Sequence, residues 1–195
     1  MSVHHSEEGK EIKRLDKFTK ETTKLEFLDY FIKDLQEMSL HLFNWKWHDA
    51  QFDYIKSTLK LGLLLQVLDF AQNYMNKYQD EPKECHWDHS QMVLHPIINH
   101  RRCPYDGELI VEEHIIITDD LLHDKYAVKA FEDASLKELQ KNGFVPTHLL
   151  QFCDNCASQY KSKGPFQYLA NSDIPAVRNY FGPNHGKGPS DSATG

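Results

Sequence analysis

The chain has 195 residues, of which 40% are apolar and 12% aromatic, so it can bury the core of one domain and is not a disordered chain. Its formal net charge of -7 disfavours general nucleic-acid binding but does not exclude a local basic groove. No apolar run reaches the roughly 20 residues of a membrane-spanning helix, and the N-terminus has no signal-peptide core, so we expect an intracellular protein without a membrane partner. The residues available for a basic groove are Arg101, Arg102, Lys161, Lys163, Arg178 and Lys187.

The N-terminal third divides into a charged tail and a helical segment. Residues 1–22 are dense in charge and predict a flexible tail, whereas residues 23–60 predict a helical extension. From Thr23 onward apolar residues recur at spacings of three and four, which is typical of one face of a helix, and the threonine hydroxyl is a suitable N-cap. Trp45, Trp47 and Phe52 either continue this helix or belong to a second one after Asn44. We interpret this aromatic stripe as packing against the domain rather than as stacking on nucleic-acid bases.

The first predicted strand lies in the apolar run from Leu61 to Phe70 and opens the domain of residues 61–195. The run is apolar on both faces, as is typical of a central strand covered on each side. Asp69 stands at its end. A carboxylate in such a place costs free energy unless it is paired or binds a cation, so Asp69 is a candidate functional residue.

Two further strands and a helix follow. The second strand is predicted at Gln91–His95 and is broken or edged by Pro96, with residues 101–107 as a loop. The third runs from Leu109 to Ile117, and three consecutive strands with short connections predict an antiparallel meander. A helix then begins at Asp124, and Gly143 is a fitting residue after its end.

The last third of the chain repeats the pattern of a strand followed by an acid. A strand is predicted at His148–Cys153 with Asp154 directly after it, then a short helix at Phe166–Ala170 and a fifth strand at Val177–Phe181. A glycine-rich loop at 185–190 leads to Asp191 in the first turn of a final helix. The element order predicts an α/β fold, a mixed sheet of about five strands with helices on its faces.

The three aspartates Asp69, Asp154 and Asp191 form a possible metal site. Carboxylates suit Mg²⁺ or Mn²⁺, and a pair of such ions can clamp the attacking and leaving oxygens of a phosphoryl transfer. The chain has 29 acidic residues, however, so three can always be chosen. The residues alone therefore favour solvated or capping aspartates over a metal site.

Four motifs that recur in order carry a family resemblance. They are LDFAQNY at 68–74, HWDHSQ at 86–91 with LHP at 94–96, SQYKSK at 158–163, and HGKGPSD at 185–191. Together they resemble transposase-derived proteins of animal genomes that have a ribonuclease-H-like catalytic core.

This resemblance implies a ribonuclease-H-like fold and metal-dependent cleavage or joining of DNA strands, with Mg²⁺ or Mn²⁺ as cofactor and a nuclear location. Asp69 matches the acid of the first strand, Asp154 that of the fourth, and Asp191 the third acid of the catalytic triad. Further contacts to the nucleic acid are expected from Lys161, Lys163, His185 and Lys187.

Two features favour a binding protein over an active enzyme. Asn155 stands where related sequences tend to have glycine, and the chain stops at Gly195, four residues after Asp191. A helix of this length is not stable, so we expect weak metal binding and little nuclease activity in this form. A domesticated, non-catalytic binding or interaction protein is the alternative.

A zinc module is the second alternative. Cys153 and Cys156 form a CxxC pair, and Cys85, His86, His89 and Cys103 are available as further ligands. A second closely spaced cysteine pair is missing, and Cys153 falls inside a predicted strand. The competing interpretation is two buried thiols that bind nothing.

Overall fold

The computed structural model describes residues 2–5, 11–14, 19–71, 73–75 and 91–181, with only the backbone at 2–5 and 11–14. Two compact units are present, Met1–Leu40 and His41–Gly195. Among the described residues, no helix combines the length and apolarity needed to cross a membrane.

The N-terminal unit contains a strand pair and the start of a long helix. Strand β1 (Ser2–His5) pairs antiparallel with β2 (Glu11–Arg14), in a segment where the sequence led us to expect a flexible tail. Backbone hydrogen bonds can close so short a pair without a buried core, which is why composition did not reveal it.

Helix α1 is one continuous element, Lys24–Ser57, and no second helix begins after Asn44. A capping box starts it, because the Thr23 backbone N–H donates to Glu26 Oε2 at 2.9 Å and the Glu26 N–H donates to Thr23 Oγ1 at 3.3 Å. The expected apolar stripe is present on the helix but exposed to solvent. Its exposed members are Leu25, Leu28, Phe31, Ile32, Leu35, Met38 and Leu42.

The larger unit is built on a mixed sheet, as predicted. In the part of the chain that the structure describes, the sheet has six strands: β3 (Leu63–Leu68), β4 (Tyr74–Met75), β5 (Gln91–Arg102), β6 (Leu109–Thr118), β7 (His148–Cys153) and β8 (Ala176–Tyr180). The long strands lie in the order β6, β5, β3, β7, β8, and β4 also pairs with β5. The β5 pairings are antiparallel, whereas β3 with β7 and β7 with β8 are parallel. Helices α2 (Lys125–Lys141) and α3 (Lys163–Ala170) complete the fold.

Strand β3 is central because both of its faces are covered. Leu64 packs with Leu139 of α2 on one face, and Leu65 packs with Phe52 of α1 on the other. The Phe52 ring stands edge-on to Phe152 of β7, with ring centroids 5.2 Å apart. The continuous apolar run therefore belongs to a central strand covered on both faces, as predicted.

Strand β5 is longer than predicted and runs straight through Pro96. Pro96 is paired with Ile115 of β6, and its carbonyl accepts a hydrogen bond from the Asp69 backbone N–H on the β3 side, at 3.4 Å. In an antiparallel strand the backbone N–H and C=O of one residue point to the same neighbouring strand, so the position where Pro96 lacks an N–H also faces β3. The pairing of β3 with β5 has already ended there, at Leu68 and Ile97. No hydrogen bond between β5 and β6 is therefore lost at Pro96. Residues 101–102, which were expected in a loop, belong to β5.

Both later helices follow their local sequence. Asp124 caps α2 by accepting the backbone N–H groups of Tyr126 and Ala127, and Gly143 adopts φ +82° after its end. Helix α3 begins at Lys163, three residues earlier than predicted. The Gly164-Pro165 pair that was interpreted as a turn lies in its first turn, where proline is tolerated.

A buried polar layer crosses the sheet under α2. Gln66 of β3 donates to Asn99 of β5 at 2.8 Å and accepts from Gln151 of β7 at 3.1 Å. Gln151 in turn accepts two hydrogen bonds from Arg178 of β8, which forms an ion pair with Glu132 of α2 at 2.5 Å. The layer fixes the register of four strands, since a shift of one residue would leave these polar groups buried without partners.

Candidate functional site

Asp69 and Asp154 emerge side by side at one end of the sheet. Strands β3 and β7 are parallel and in register, with Leu68 opposite Cys153, so the next residue on each strand is an aspartate. The carboxyl ends of neighbouring parallel strands are where α/β folds place ligands. The placement matches what the sequence led us to expect of these two residues.

The negative charges of both aspartates act on buried groups nearby. Burial raises the pKa of the Cys153 thiol, Arg178 opposes this, and the charges of Asp154 and Asp69 raise the pKa further. The pKa of the Tyr160 phenol is also raised by burial first, and then by nearby charges that include both aspartates. The relative position of the two acids follows from the register of β3 and β7.

Local hydrogen bonds orient the two acids. Asp69 Oδ1 accepts the backbone N–H of Phe70 at 2.8 Å, and Asp154 Oδ1 accepts the N–H of Cys156 at 3.0 Å in an Asx turn. The segment after β3 is also held against β5, since the Ala71 N–H donates to the Leu94 carbonyl at 3.0 Å. Both carboxylates are therefore carried by backbone that is fixed on the sheet.

Rigid aromatic packing supports this end of the sheet. The Phe70 ring lies 4.5 Å from that of His95, edge to face, and is stacked on His123 at 4.5 Å. The Nε2 of His95 is 3.1 Å from the hydroxyl of Tyr160, and both side chains are fully buried. Phe70, His95 and Tyr160 come from three of the four motifs noted in the sequence. The described parts of these three motifs thus meet in space next to the strand ends that carry the two aspartates.

The third predicted acid, Asp191, lies outside the described residues, as do His185 and Lys187 of the same loop. Within the described ranges, no cluster of three or more histidine, cysteine, aspartate or glutamate side chains is arranged to hold a metal ion. The donor set that the structure offers is therefore the aspartate pair.

Glu132 is a buried acid that the sequence did not single out. Its charge also raises the pKa values of Cys153 and Tyr160. Its own pKa is raised by burial, against the opposing effect of Arg178. The side chain is already committed to Arg178, at 2.5 Å. Its position in the middle of an amphipathic helix gave no signal in the sequence.

A protein-family model matches the part of the chain that contains the candidate site. Residues 48–195 match a family model described as a domain of unknown function, DUF8701. The chain belongs to this family. No protein of curated function matches it. The DUF8701 match includes both strands that carry the aspartates and the last turns of α1, and it leaves out residues 1–47.

The basic residues of the DUF8701 domain divide into bonded and accessible ones. Arg101 is engaged by Glu112 with two hydrogen bonds of 3.0 Å, and Arg178 is buried with Glu132, so neither is available to a partner. Lys161 is exposed and close to the acids, where it donates to Asn155 Oδ1 at 3.1 Å. Lys163 is also exposed, at the first position of α3. Arg102 donates to three backbone carbonyls, so the expected basic groove reduces to these two lysines among the described residues.

The CxxC pair of the DUF8701 domain differs in its two members. Cys153 is fully buried and its thiol points to the Asn179 carbonyl at 3.8 Å, whereas Cys156 is half-buried and its sulfur lies 3.2 Å from Ser158 Oγ. Cys103 is a free thiol after β5. The other suggested zinc ligands, Cys85, His86 and His89, lie outside the described residues.

We expect the purified DUF8701 chain to contain no stoichiometric zinc. Zinc binds the thiolate, and burial disfavours that form at Cys153 by raising its pKa. Metal analysis by mass spectrometry checks this, and Cys153→Ser/Cys156→Ser should keep the far-ultraviolet circular dichroism of the wild type. One zinc ion per chain, lost in the double variant together with the fold, would establish the zinc module instead.

Proposed function

We propose that this domain binds a divalent cation, Mg²⁺ or Mn²⁺, through Asp69 and Asp154 and performs phosphoryl transfer on DNA with a ribonuclease-H-like core. The observation that carries the proposal is the in-register placement of the two aspartates after neighbouring parallel strands. The sheet supports it, because its three long antiparallel strands β3, β5 and β6 are followed by the parallel β7 and β8. The resemblance to transposase-derived proteins assigns the acids to this first and fourth strand.

The donor chemistry fits the cation. Both groups are carboxylates, hard oxygen ligands of the kind that Mg²⁺ and Mn²⁺ take, and each has one oxygen oriented by its own backbone. The two carboxylates follow adjacent strands in register, so together they would offer a cation two negative charges. When bound, the metal supplies electrostatic stabilisation to the oxygens of the reacting phosphate. Asp191, outside the described residues, is proposed as the third ligand.

In this proposal Lys161 binds the DNA, and His95 holds the segments that carry the two aspartates in place. Lys161 follows Asp154 on the segment between β7 and α3 and offers an ammonium group to a DNA phosphate. His95 cannot act as an acid or base near neutral pH, because burial lowers its pKa to about 3. Its role is to hold Tyr160 and Phe70, and through them the loops that carry the acids.

Metal-dependent stabilisation tests the site directly. We expect millimolar Mn²⁺ to raise the melting temperature of the wild type by mass action, since a ligand at 100 times its Kd adds about 2.7 kcal/mol to the free energy of unfolding. Asp69→Asn and Asp154→Asn should each abolish the shift. Without metal, both variants should melt at or above the wild-type temperature, because one of two repelling charges is gone.

The matched control is Asp173→Asn, which neutralises an exposed acid in the loop before β8 and should keep the full shift. An unchanged melting temperature of the wild type in Mn²⁺, or an equal shift in both aspartate variants, contradicts the metal site. Cleavage of labelled DNA in Mg²⁺ or Mn²⁺, lost in the same variants, is the second measurement and tests the reaction itself.

A further inference from the structure

A pocket of about 490 Å³ opens beside the candidate metal site. Its walls come from the last turns of α1, between Trp47 and Ile55, and from the carboxyl ends of β7 and β8. The volume is in the range of pockets that bind one small organic ligand. Asn155, the neighbour of Asp154, lines it, so the pocket and the aspartate pair share one loop.

One wall of the pocket is an exposed tryptophan. Trp47 remains 52% exposed, in contrast to Phe52 on the same helix, which is buried in the core. Its ring contacts His48 edge to face at 5.2 Å. The sequence led us to expect Trp47 to pack against the domain, but the structure leaves much of its surface open at the pocket. An accessible indole is suited to stacking on a planar ligand.

A lysine held in place supplies positive charge. Lys161 Nζ donates to Asn155 Oδ1 at 3.1 Å and lies 4.9 Å from the centre of the Tyr180 ring. The Asn155 amide is itself fixed, because its Nδ2 donates to the Phe181 carbonyl at 2.6 Å. Arg178 also borders the pocket, but its side chain is 3% exposed and paired with Glu132. An anion entering the pocket therefore meets Lys161.

Polar groups line the same space. The imidazole of His48 lines the pocket, and Gln51 adds an amide one turn further along α1. Both side chains carry hydrogen-bonding groups at the wall of the pocket. The amide and the imidazole can each donate or accept, as the edge of a nucleobase requires.

We propose that this pocket binds one nucleotide, with the base stacked on Trp47 and the phosphate at Lys161. An aromatic face, a fixed cation and two adaptable hydrogen-bonding groups match a planar base that carries a phosphate. The assignment to a nucleotide of a DNA strand, rather than to a free nucleotide, rests on the proposed function and on the shared loop with Asp154. The chemistry of the pocket itself is independent of the metal.

Calorimetric titration in EDTA separates the pocket from the metal site. The probes are deoxyadenosine monophosphate and a short single-stranded oligodeoxynucleotide with a 5′-phosphate. We expect Trp47→Ala to weaken binding of both probes at least about fivefold, as the loss of one base-stacking contact does. Lys161→Gln should weaken binding of both and reduce the slope of the salt dependence by about one. Both side chains are exposed, so both variants should fold.

The matched controls are Tyr54→Ala, an exposed aromatic residue of α1 outside the pocket, and Lys137→Gln, an exposed lysine of α2 outside the pocket. Both should bind the mononucleotide as the wild type does. Absent binding, or equal weakening in variants and controls, overturns the proposal.

The comparison of probes identifies the source of the nucleotide. Tighter binding of the oligonucleotide supports a strand nucleotide, whereas equal affinity for both probes overturns the assignment to a strand. Binding that depends on Trp47 in a protein without a Mn²⁺ shift would refute the metal site and leave the pocket standing. A Mn²⁺ shift without nucleotide binding would refute the pocket alone.

Discussion

Replacing Arg178 with methionine is expected to lower the free energy of unfolding by about 3–5 kcal/mol, because the variant leaves the Glu132 carboxylate buried without its cation. The two side chains are 3% and 10% exposed and 2.5 Å apart, and the guanidinium also donates to Gln151 at 2.9 and 2.7 Å. The loss would therefore break the polar layer as well as the ion pair. Urea denaturation followed by circular dichroism measures the change in the free energy of unfolding.

The matched control is Lys141→Met, on α2, the helix that carries Glu132. Lys141 pairs with Glu138 at 2.8 Å, but the side chains are 72% and 50% exposed, so we expect a change within about 0.5 kcal/mol. The double variant Arg178→Met/Glu132→Gln should recover most of the loss, since no buried charge remains. A cost for Arg178→Met no greater than that of Lys141→Met would show that the buried pair is not required for stability.

The cost of Arg178→Met should also depend on pH. Burial raises the pKa of Glu132 and Arg178 opposes this effect, so removing Arg178 raises the pKa further. When the pKa of an acid is higher in the folded state than in the unfolded state, the neutral acid at low pH does not oppose folding. Ionisation of the acid at higher pH then destabilises the folded protein. We therefore expect the deficit to be largest near neutral pH and to shrink as the pH falls towards the ordinary value of 4.5.

A second large effect should come from His95 in acid. Burial lowers the pKa of His95 from its ordinary 6.5 to about 3, with a smaller contribution from the charge of His123. The folded protein then binds fewer protons than the unfolded chain between these values. The stability from His95 is complete above pH 6.5 and is lost as the pH falls towards 3.

His95→Gln tests this directly. Glutamine does not titrate but keeps a polar group for the Tyr160 hydroxyl, so the variant should gain roughly 3 kcal/mol relative to the wild type between about pH 7 and pH 4. Denaturation midpoints across this range provide the measurement. His148→Gln, at an exposed histidine, is the control and should keep the wild-type pH dependence. Parallel curves for His95→Gln and the wild type would contradict a neutral, buried His95.

Local sequence patterns located the central strands and the main helix. The apolar run before Asp69 became β3, the run at 148–153 became β7 with the predicted limits, and Asp124 caps α2 as the pattern indicated. These signals succeeded because they depend on neighbours within one element. A strand covered on both faces must be apolar throughout, and a helix start needs acceptors for its first N–H groups.

Interpretation of the sequence was less successful where the outcome depended on a distant segment. Pro96 was expected to break or edge its strand, but β3 ends where its missing N–H would need a partner. Trp47 and Phe52 appeared equivalent in the aromatic stripe, yet Phe52 enters the core beside Phe152 and Trp47 lines the pocket. The buried pair of Glu132 and Arg178 joins a helix to a strand 46 residues away.

By itself the sequence determined the positions of β3, β7 and α2, and it placed Asp69 and Asp154 each at the end of an apolar strand. Only the tertiary structure decided that these two ends are neighbours. A strand's own residues set its periodicity and burial, whereas its partner is set by the packing of all the elements together. Here the pairing of β3 with β7, 85 residues apart at Gln66 and Gln151, is fixed by side-chain hydrogen bonds under α2. That pairing turns two of the 29 acidic residues into one candidate site.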